Sequence, residues 1–461
     1  MRPGDRALGP LARWALLLPP AFAAGLPHLR PATLLLHVFF LSFFWLLLRF
    51  YRRESFAEYR ELGFFSALFT VTLGLAAVLS RMWPGWSALA PVPMAALLVT
   101  LLYNGRLAMV AAAVLTLVIG TSGPALSLGA LTFGLAGGVA AALSLRRVRR
   151  RSEQYRAVLA IVGGNLLGAV VLGLAVPLPF AEAFRQGTMG VGMAVADVAV
   201  AMLLLPAAEA LSRRTTDFTL LELADPTRPL LARLAQEAPG TWAHSLVVAS
   251  LGEAGCNAIG ANGLLARVGG YYHDVGKLTA PKLFVENQDG GGNPLGSLSP
   301  RESARRVREH VTGGLVIAGD AGLPAEVRRF IPEHHGTMPL DYFLAQLDPA
   351  KRAAAAADDE FRYPGPRPRT RETAVAMLAD AAEAAVRVLG DRSPERVGEV
   401  VHHLIQQRVL AGQLAEAPVT LPDLDKVADA FVPLLAGLHH GRLDYPRSTG
   451  GITKDFGRTD G

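Results

Sequence analysis

Residues Tyr271–Lys277 read "YYHDVGK". A histidine beside an aspartate, with glycine and lysine directly after, is unexpected chemistry for so apolar a chain. The same chemistry returns at "EHHGT", Glu333–Thr337. Imidazole and carboxylate hold Fe, Mn or Zn while leaving positions open for water. An aspartate next to a histidine at a helix end can bridge two ions while the imidazole binds one. Working outward, the ligand candidates in chain order are His244, His273, Asp274, His310, His334, His335 and Asp380. Each falls on, or beside the end of, a predicted helix. One histidine at helical spacing is more often a satisfied core residue than a ligand. Seven groups in this order, with adjacent His-Asp and His-His pairs, point instead to a metal centre.

The surroundings of that centre decide the fold class. From Thr241 onward apolar residues recur at helical spacing (Leu246, Val247, Leu251, Ala254, Ile259), and strand-like alternation is nearly absent up to Asp444. The expectation is an all-α domain. The single cysteine, Cys256, excludes an intramolecular disulfide framework.

The rest of the chain is of another kind. Of 461 residues, 51% are apolar and 18% charged, which is too apolar for an ordinary soluble enzyme and too charged for a protein that is membrane throughout. The apolar residues concentrate before about Leu211, whereas nine of the eleven histidines follow it. Seven segments approach the ~20 residues that a helix needs to cross the hydrocarbon core. They are Ala32–Phe50, Leu62–Met82, Trp86–Tyr103, Leu107–Ser122, Ala125–Leu145, Ala157–Leu178 and Thr188–Leu211. A weaker one, Leu11–Leu26, carries Arg13 and a Pro-Pro pair. It lacks a small-residue cleavage site and reads as an anchor rather than a leader.

The net charge of +6 has a simple home. Arg52, Arg53, Arg60, Arg146–Arg151, Arg213 and Arg214 border the apolar segments, on alternate loops. Short cytoplasmic loops retain positive charge, so all-helical spans with these loops on one side put the polar half in the cytoplasm and remove the need for a nucleic-acid polymer as partner. Asp197, inside the last span, is expected to face the bundle and bond a Ser, Thr or Asn such as Asn165.

The order His, His-Asp, distant Asp resembles the HD phosphohydrolase superfamily, and the extra His310 and His334-His335 resemble its two-metal members. "EAPGT" with His244-Ser245, "ANGLLARVGGYYHDVGK", "FVENQDGGGNP", "HVTGG", "EHHGT", "MLADAAEAAVR" and "HGRLDYP" are similar, in that order, to the cytoplasmic domain of the PgpH-type seven-transmembrane-HD family. The resemblance implies a membrane-bound phosphodiesterase that hydrolyses cyclic di-AMP to linear pApA with a hydroxide activated by two divalent ions, Fe or Mn. His244, His273, Asp274 and Asp380 would surround one ion and His310, His334 and His335 the other, with Asp274 as bridge and catalytic group. Lys277, one turn past His273, would meet a phosphate or else lie on the surface. The Glu286–Gln288 stretch, Asn287 included, would form a substrate rim. A homodimer is compatible with all of this.

The division expected is a basic segment with a weak anchor at 1–30, seven spans at 31–213, a linker helix at 214–240, the HD domain at 241–446 and a disordered tail at 447–461. The large extracellular domain usual in the family is replaced by "GLPHLRPA", Gly25–Ala32. Ala243 stands where the family often has a second histidine, and Leu295-Gly296 where it usually has His-Asp. Other readings are a different cyclic dinucleotide or nucleotide phosphohydrolase, a signalling scaffold with a vestigial HD fold, and a transporter with a regulatory tail. "HHGTMPLDYF" lacks the early Gly-Tyr-Pro of cyclic di-GMP enzymes, and the poverty of intramembrane charge disfavours transport.

Overall fold

The computed structural model describes residues 10–25, 30–51, 59–83, 90–145, 153–176, 179–288, 294–356 and 359–437. Arg52, Arg53, Arg146–Arg151, Asn293, the His439-His440 pair and the tail lie outside them. Every regular element described is helical, apart from one isolated bridge between Pro339 and Arg362. The all-α expectation holds. The chain forms two compact units, Met1–Glu222 and Leu223–Gly461.

In the first unit, four helices among the described residues are long and apolar enough to cross a membrane: Pro31–Tyr51, Tyr59–Met82, Glu153–Ala175 and Phe180–Ser212. Val92–Leu102, Gly105–Gly120 and Leu128–Ser144 are shorter apolar helices. Within the expected Trp86–Tyr103 span the described helix is Val92–Leu102, 11 residues or about 16 Å long, and residues 86–89 lie outside the described residues. Pro91 and Pro93 bound its start, and Asn104 ends it by accepting the Leu107 N–H at 2.9 Å to cap the next helix. Pro91 has no side chain to cap the first turn. Asp197, 3% exposed, instead bonds the Met94 N–H from the Phe180–Ser212 helix. Asn165 is not its partner, because the Asn165 amide donates to the Gly190 carbonyl at 2.7 Å.

The Leu11–Leu26 segment is two helices, Pro10–Ala15 and Leu18–Gly25, rather than one. Pro19 and Pro20 have no N–H for the carbonyls four residues back, and their rings crowd them. The freed Leu16 carbonyl accepts the Ser66 hydroxyl at 2.7 Å, and the Arg13 carbonyl accepts the Trp45 indole at 3.1 Å. At the other end of this unit, Arg214 pairs with buried Glu61 at 2.6 Å and lies over the Tyr103 ring. Glu209 accepts the Thr216 N–H and the Thr216 and Thr219 hydroxyls, which fixes the exit from the last long helix.

The second unit packs Pro239–Ala258, Gly263–Tyr272, Arg371–Arg387, Pro394–Leu410 and Leu421–Gly437 around Val248, Leu251, Val375, Leu378, Val401 and Phe431, all at least 98% buried. The helix starts are strongly marked. Asn262, Ser299, Thr370 and Ser393 accept N–H groups of the first turns of Gly263–Tyr272, Pro300–Asp320, Arg371–Arg387 and Pro394–Leu410. Pro239 opens its helix and Asn287, from 46 residues on, accepts the Thr241 N–H at 3.1 Å. These caps set where each helix begins, and hence which turn carries each ligand candidate.

Candidate metal centre

His244 lies in the second turn of Pro239–Ala258, and His273-Asp274 follows the end of Gly263–Tyr272. His310 is midway along Pro300–Asp320, His334-His335 follows the short Phe330–Glu333 helix, and Asp380 sits in Arg371–Arg387. The fold brings all seven together. Asp274, 1% exposed, is at the centre. Its Oδ2 lies 3.3 Å from His273 Nε2 and 3.7 Å from His244 Nε2, and its Oδ1 is 3.6 Å from both His310 Nε2 and His334 Nε2. Asp380 Oδ1 is 3.1 Å from His244 Nε2, and its Oδ2 is 3.4 Å from His335 Nδ1. The donor atoms form the overlapping groups His244–His273–Asp380, His273–Asp274–His334 and His310–His334–His335, each within 4.8 Å.

Backbone geometry aims the rings. His273 Nδ1 bonds the Gly270 carbonyl at 2.8 Å, His310 Nδ1 the Val307 carbonyl at 2.6 Å, and His334 Nδ1 the Ile331 carbonyl at 2.8 Å. A carbonyl can only accept, so Nδ1 carries the proton and each Nε2 presents a lone pair inward. His273 Nε2, His310 Nε2, His334 Nε2 and Asp274 Oδ1 are buried without a hydrogen-bond partner. Four inward-facing acceptors left unsatisfied around one point are costly unless a cation meets them. The residues present therefore fit a metal centre, and such ligands leave open positions for water.

Charge is arranged to match. Burial would raise the Asp274 carboxyl, but Lys277, then His273, hold it well below the usual range. Asp380 is likewise held low against burial, chiefly by its bond to His244. Burial, reinforced by the neighbouring imidazoles, keeps His334 down at about 3 and depresses His335 and His310 too. His244 differs. Burial opposes its protonation, yet its bonds to Asp380 and Glu383 lift it to about 9.

Lys277 does not lie on the surface. Its Nζ is 2.8 Å from Asp274 Oδ2 and 2.7 Å from Glu286 Oε1. Asn287 uses its amide on Thr241 and on the Pro281 carbonyl. His402 and His403 are exposed and take no part in the cluster.

Three contributors were missed from sequence. Glu383 Oε2 accepts from His244 Nδ1 at 2.7 Å. Buried Glu333 accepts the Arg369 N–H and the Thr373 hydroxyl, tying the His-His turn to the helix that carries Asp380. Tyr363 stacks on His335 with ring centroids 4.0 Å apart. Only Glu383 carried a signal, its spacing of three from Asp380, which puts both on one helix face. A carboxylate behind an imidazole fixes its tautomer and raises its basicity. Glu383→Gln should therefore weaken metal affinity about 10- to 100-fold with little change in melting temperature, as titration of the metal-stripped chain would show. Unchanged affinity would assign Glu383 to packing alone.

Residues 31–216 match the family described as "7TM receptor with intracellular HD hydrolase", and residues 241–385 match the HD domain. The chain is 35% identical over 374 residues to the cyclic-di-AMP phosphodiesterase PgpH of Bacillus subtilis, covering 78% of this chain and 52% of that protein. It is 34% identical over 292 residues to PgpH of Listeria monocytogenes, covering 63% and 39%. A crystal structure of the L. monocytogenes phosphodiesterase PgpH HD domain in complex with cyclic-di-AMP shares 36% identity at a TM-score of 0.44, covering 47% of this chain and 100% of that one. The chain spans about half the length, or less, of these curated relatives. With apolar helices ahead of an HD domain, the two halves of the chain are similar, in order, to the membrane region of seven-transmembrane proteins with an intracellular HD hydrolase and to the HD domain itself.

Proposed function

We propose that this chain is a membrane-bound, metal-dependent phosphodiesterase that hydrolyses cyclic di-AMP to linear pApA, with its HD unit in the cytoplasm. One observation carries the chemistry: the two oxygens of Asp274 face two different sets of imidazoles. His244, His273, Asp274 and Asp380 would hold one divalent ion, and His310, His334 and His335 the other, with Asp274 shared; Fe or Mn suits such a set. When bound, the ions supply Lewis-acid polarisation of a phosphoryl oxygen and lower the pKa of a water. The substrate assignment follows the PgpH relatives, and the orientation follows the arginines beside the spans.

The chain's own residues complete the reading. Ser245 and Cys256 are both fully buried, and burial raises the Cys256 thiol far above its usual range. Neither is placed as a nucleophile, so water attacks phosphorus, the P–O3′ bond breaks, and a 5′-phosphate and a free 3′-hydroxyl result. Lys277 acts as a positioning residue, since its two carboxylate bonds hold Asp274 anionic and oriented. Asp380 and His335, with side chains 15% and 22% exposed, form the edge by which substrate enters.

The test is incubation of the purified full chain with Mn or Fe and, separately, cyclic di-AMP, cyclic di-GMP and a mononucleoside phosphate, with products separated by chromatography. Turnover of cyclic di-AMP to pApA, lost on chelation and restored by metal, is the expected result. Preference for another substrate would overturn the specificity, and metal binding without turnover would favour a signalling scaffold.

A further inference from the structure

A cyclic dinucleotide carries two phosphates, and a centre that takes the one under attack leaves the other in need of a cation. Lys277 does not serve, because Asp274 and Glu286 already neutralise it. Arg408 lies in the last turn of Pro394–Leu410. Its Nε is buried with no hydrogen-bond partner, and among the described residues its guanidinium forms no ion pair or hydrogen bond. It feels Asp380 and Asp341 electrostatically without pairing with either, and burial works against its charge. A partly buried guanidinium with no counter-charge is unfavourable unless a ligand supplies one.

Its placement is fixed by the chain. Just beyond the helix, the Gln413 side chain accepts the Thr337 N–H at 2.9 Å and donates to the Thr337 hydroxyl at 3.1 Å. This pins the end of the Arg408 helix to the turn that follows His334-His335. The helix end that carries Arg408 is thereby held on the side of the His334-His335 turn, close enough for Asp380 to act on the Arg408 charge, and Asp380 and His335 form the open edge of the cluster. Arg367 comes close to Gly412 on the same side.

We propose that Arg408 binds the phosphate that is not under attack, so that it selects for substrates carrying two. A guanidinium suits this role, since its fork matches two phosphate oxygens where an ammonium offers a point charge. The proposal rests on the dinucleotide reading above.

The test compares the full-length metal-loaded chain with Arg408→Gln and Arg408→Lys, on cyclic di-AMP and on bis(p-nitrophenyl) phosphate, which has one phosphate. Arg408→Gln should raise KM for cyclic di-AMP about 10- to 100-fold, the worth of a charge-assisted bond, with a much smaller change in kcat. Arg408→Lys should recover part of that loss. The loss on the single-phosphate substrate should be at least about fivefold smaller. Metal content and melting temperature report whether each variant is folded. A KM within twofold of wild type on cyclic di-AMP, or equal losses on both substrates, would overturn the assignment. Failure of the wild type on cyclic di-AMP would strike the substrate reading instead. Equilibrium dialysis of pApA then decides on Arg408: weaker binding to the Gln variant supports it, and equal binding refutes it.

Discussion

Asp274→Asn should lower turnover about a thousandfold or more and strip the chain of most of its bound metal. The side chain keeps its shape, so the loss would come from charge and lone pairs. One Asp274 oxygen faces His244 and His273, and the other faces His310 and His334. An amide nitrogen in either place turns a proton toward imidazole nitrogens that already present lone pairs. Both sets of donors are weakened by one substitution. Lys277 would keep only Glu286, leaving a buried ammonium less well compensated. Asp380→Asn is the informative contrast, because neither Asp380 oxygen comes within ion-pair range of His310 or His334. It should reduce metal content less than Asp274→Asn does. Elemental analysis of the two purified variants, alongside turnover, checks this. An Asp274→Asn chain holding as much metal as wild type would remove Asp274 from the centre of the site.

Side-chain chemistry and periodicity made much of this architecture readable. The helical class followed from apolar spacing after Thr241, four of the seven ligand candidates from an adjacent His-Asp and an adjacent His-His, and His244, His310 and Asp380 from their order about those pairs. What the sequence hid was whatever depends on long-range meetings. The Asn287 cap on the Thr241 N–H joins residues 46 apart, and the Glu383 bond to His244 spans 139. Neither leaves a local pattern, although Glu383 shares a face with Asp380. Lys277 is the clearest case. Alone it reads as a phosphate-seeking cation, and only folding sets Glu286 against it. In the membrane unit, hydropathy located the apolar stretches but not their ends, since the Tyr59–Met82, Glu153–Ala175 and Phe180–Ser212 helices begin ahead of the apolar runs. The helix starts near Pro19-Pro20 and at Pro91–Pro93 have one cause: the missing proline N–H and the ring's clash. A window average cannot register that.

Gly276→Ala should be as damaging to the site as loss of a ligand, although it removes nothing. A helical or turn glycine replaced by alanine ordinarily stabilises by about 0.4–1 kcal/mol through the unfolded chain. Here a Cβ would lie 1.7 Å from the His310 carbonyl oxygen and 2.6 Å from the Gly314 N. Both obstacles are backbone, so no rotamer change relieves them. The turn at Val275–Thr279 and the Pro300–Asp320 helix cross at this point with no side chain between them. To admit a methyl they must separate, and the separation carries His310 away from Asp274. We expect destabilisation of the HD unit by about 3 kcal/mol or more, the upper end for overpacking, together with loss of metal from the His310 set. Gly398→Ala supplies the control, since the nearest atom to its Cβ would be Val432 Cγ2 at an ordinary 3.8 Å. That variant should melt at or above the wild-type temperature with metal content intact. Thermal unfolding and elemental analysis of both variants in the full chain separate the cases. If Gly276→Ala matched the control in both measurements, the close crossing of turn and helix would not be what holds His310 against Asp274.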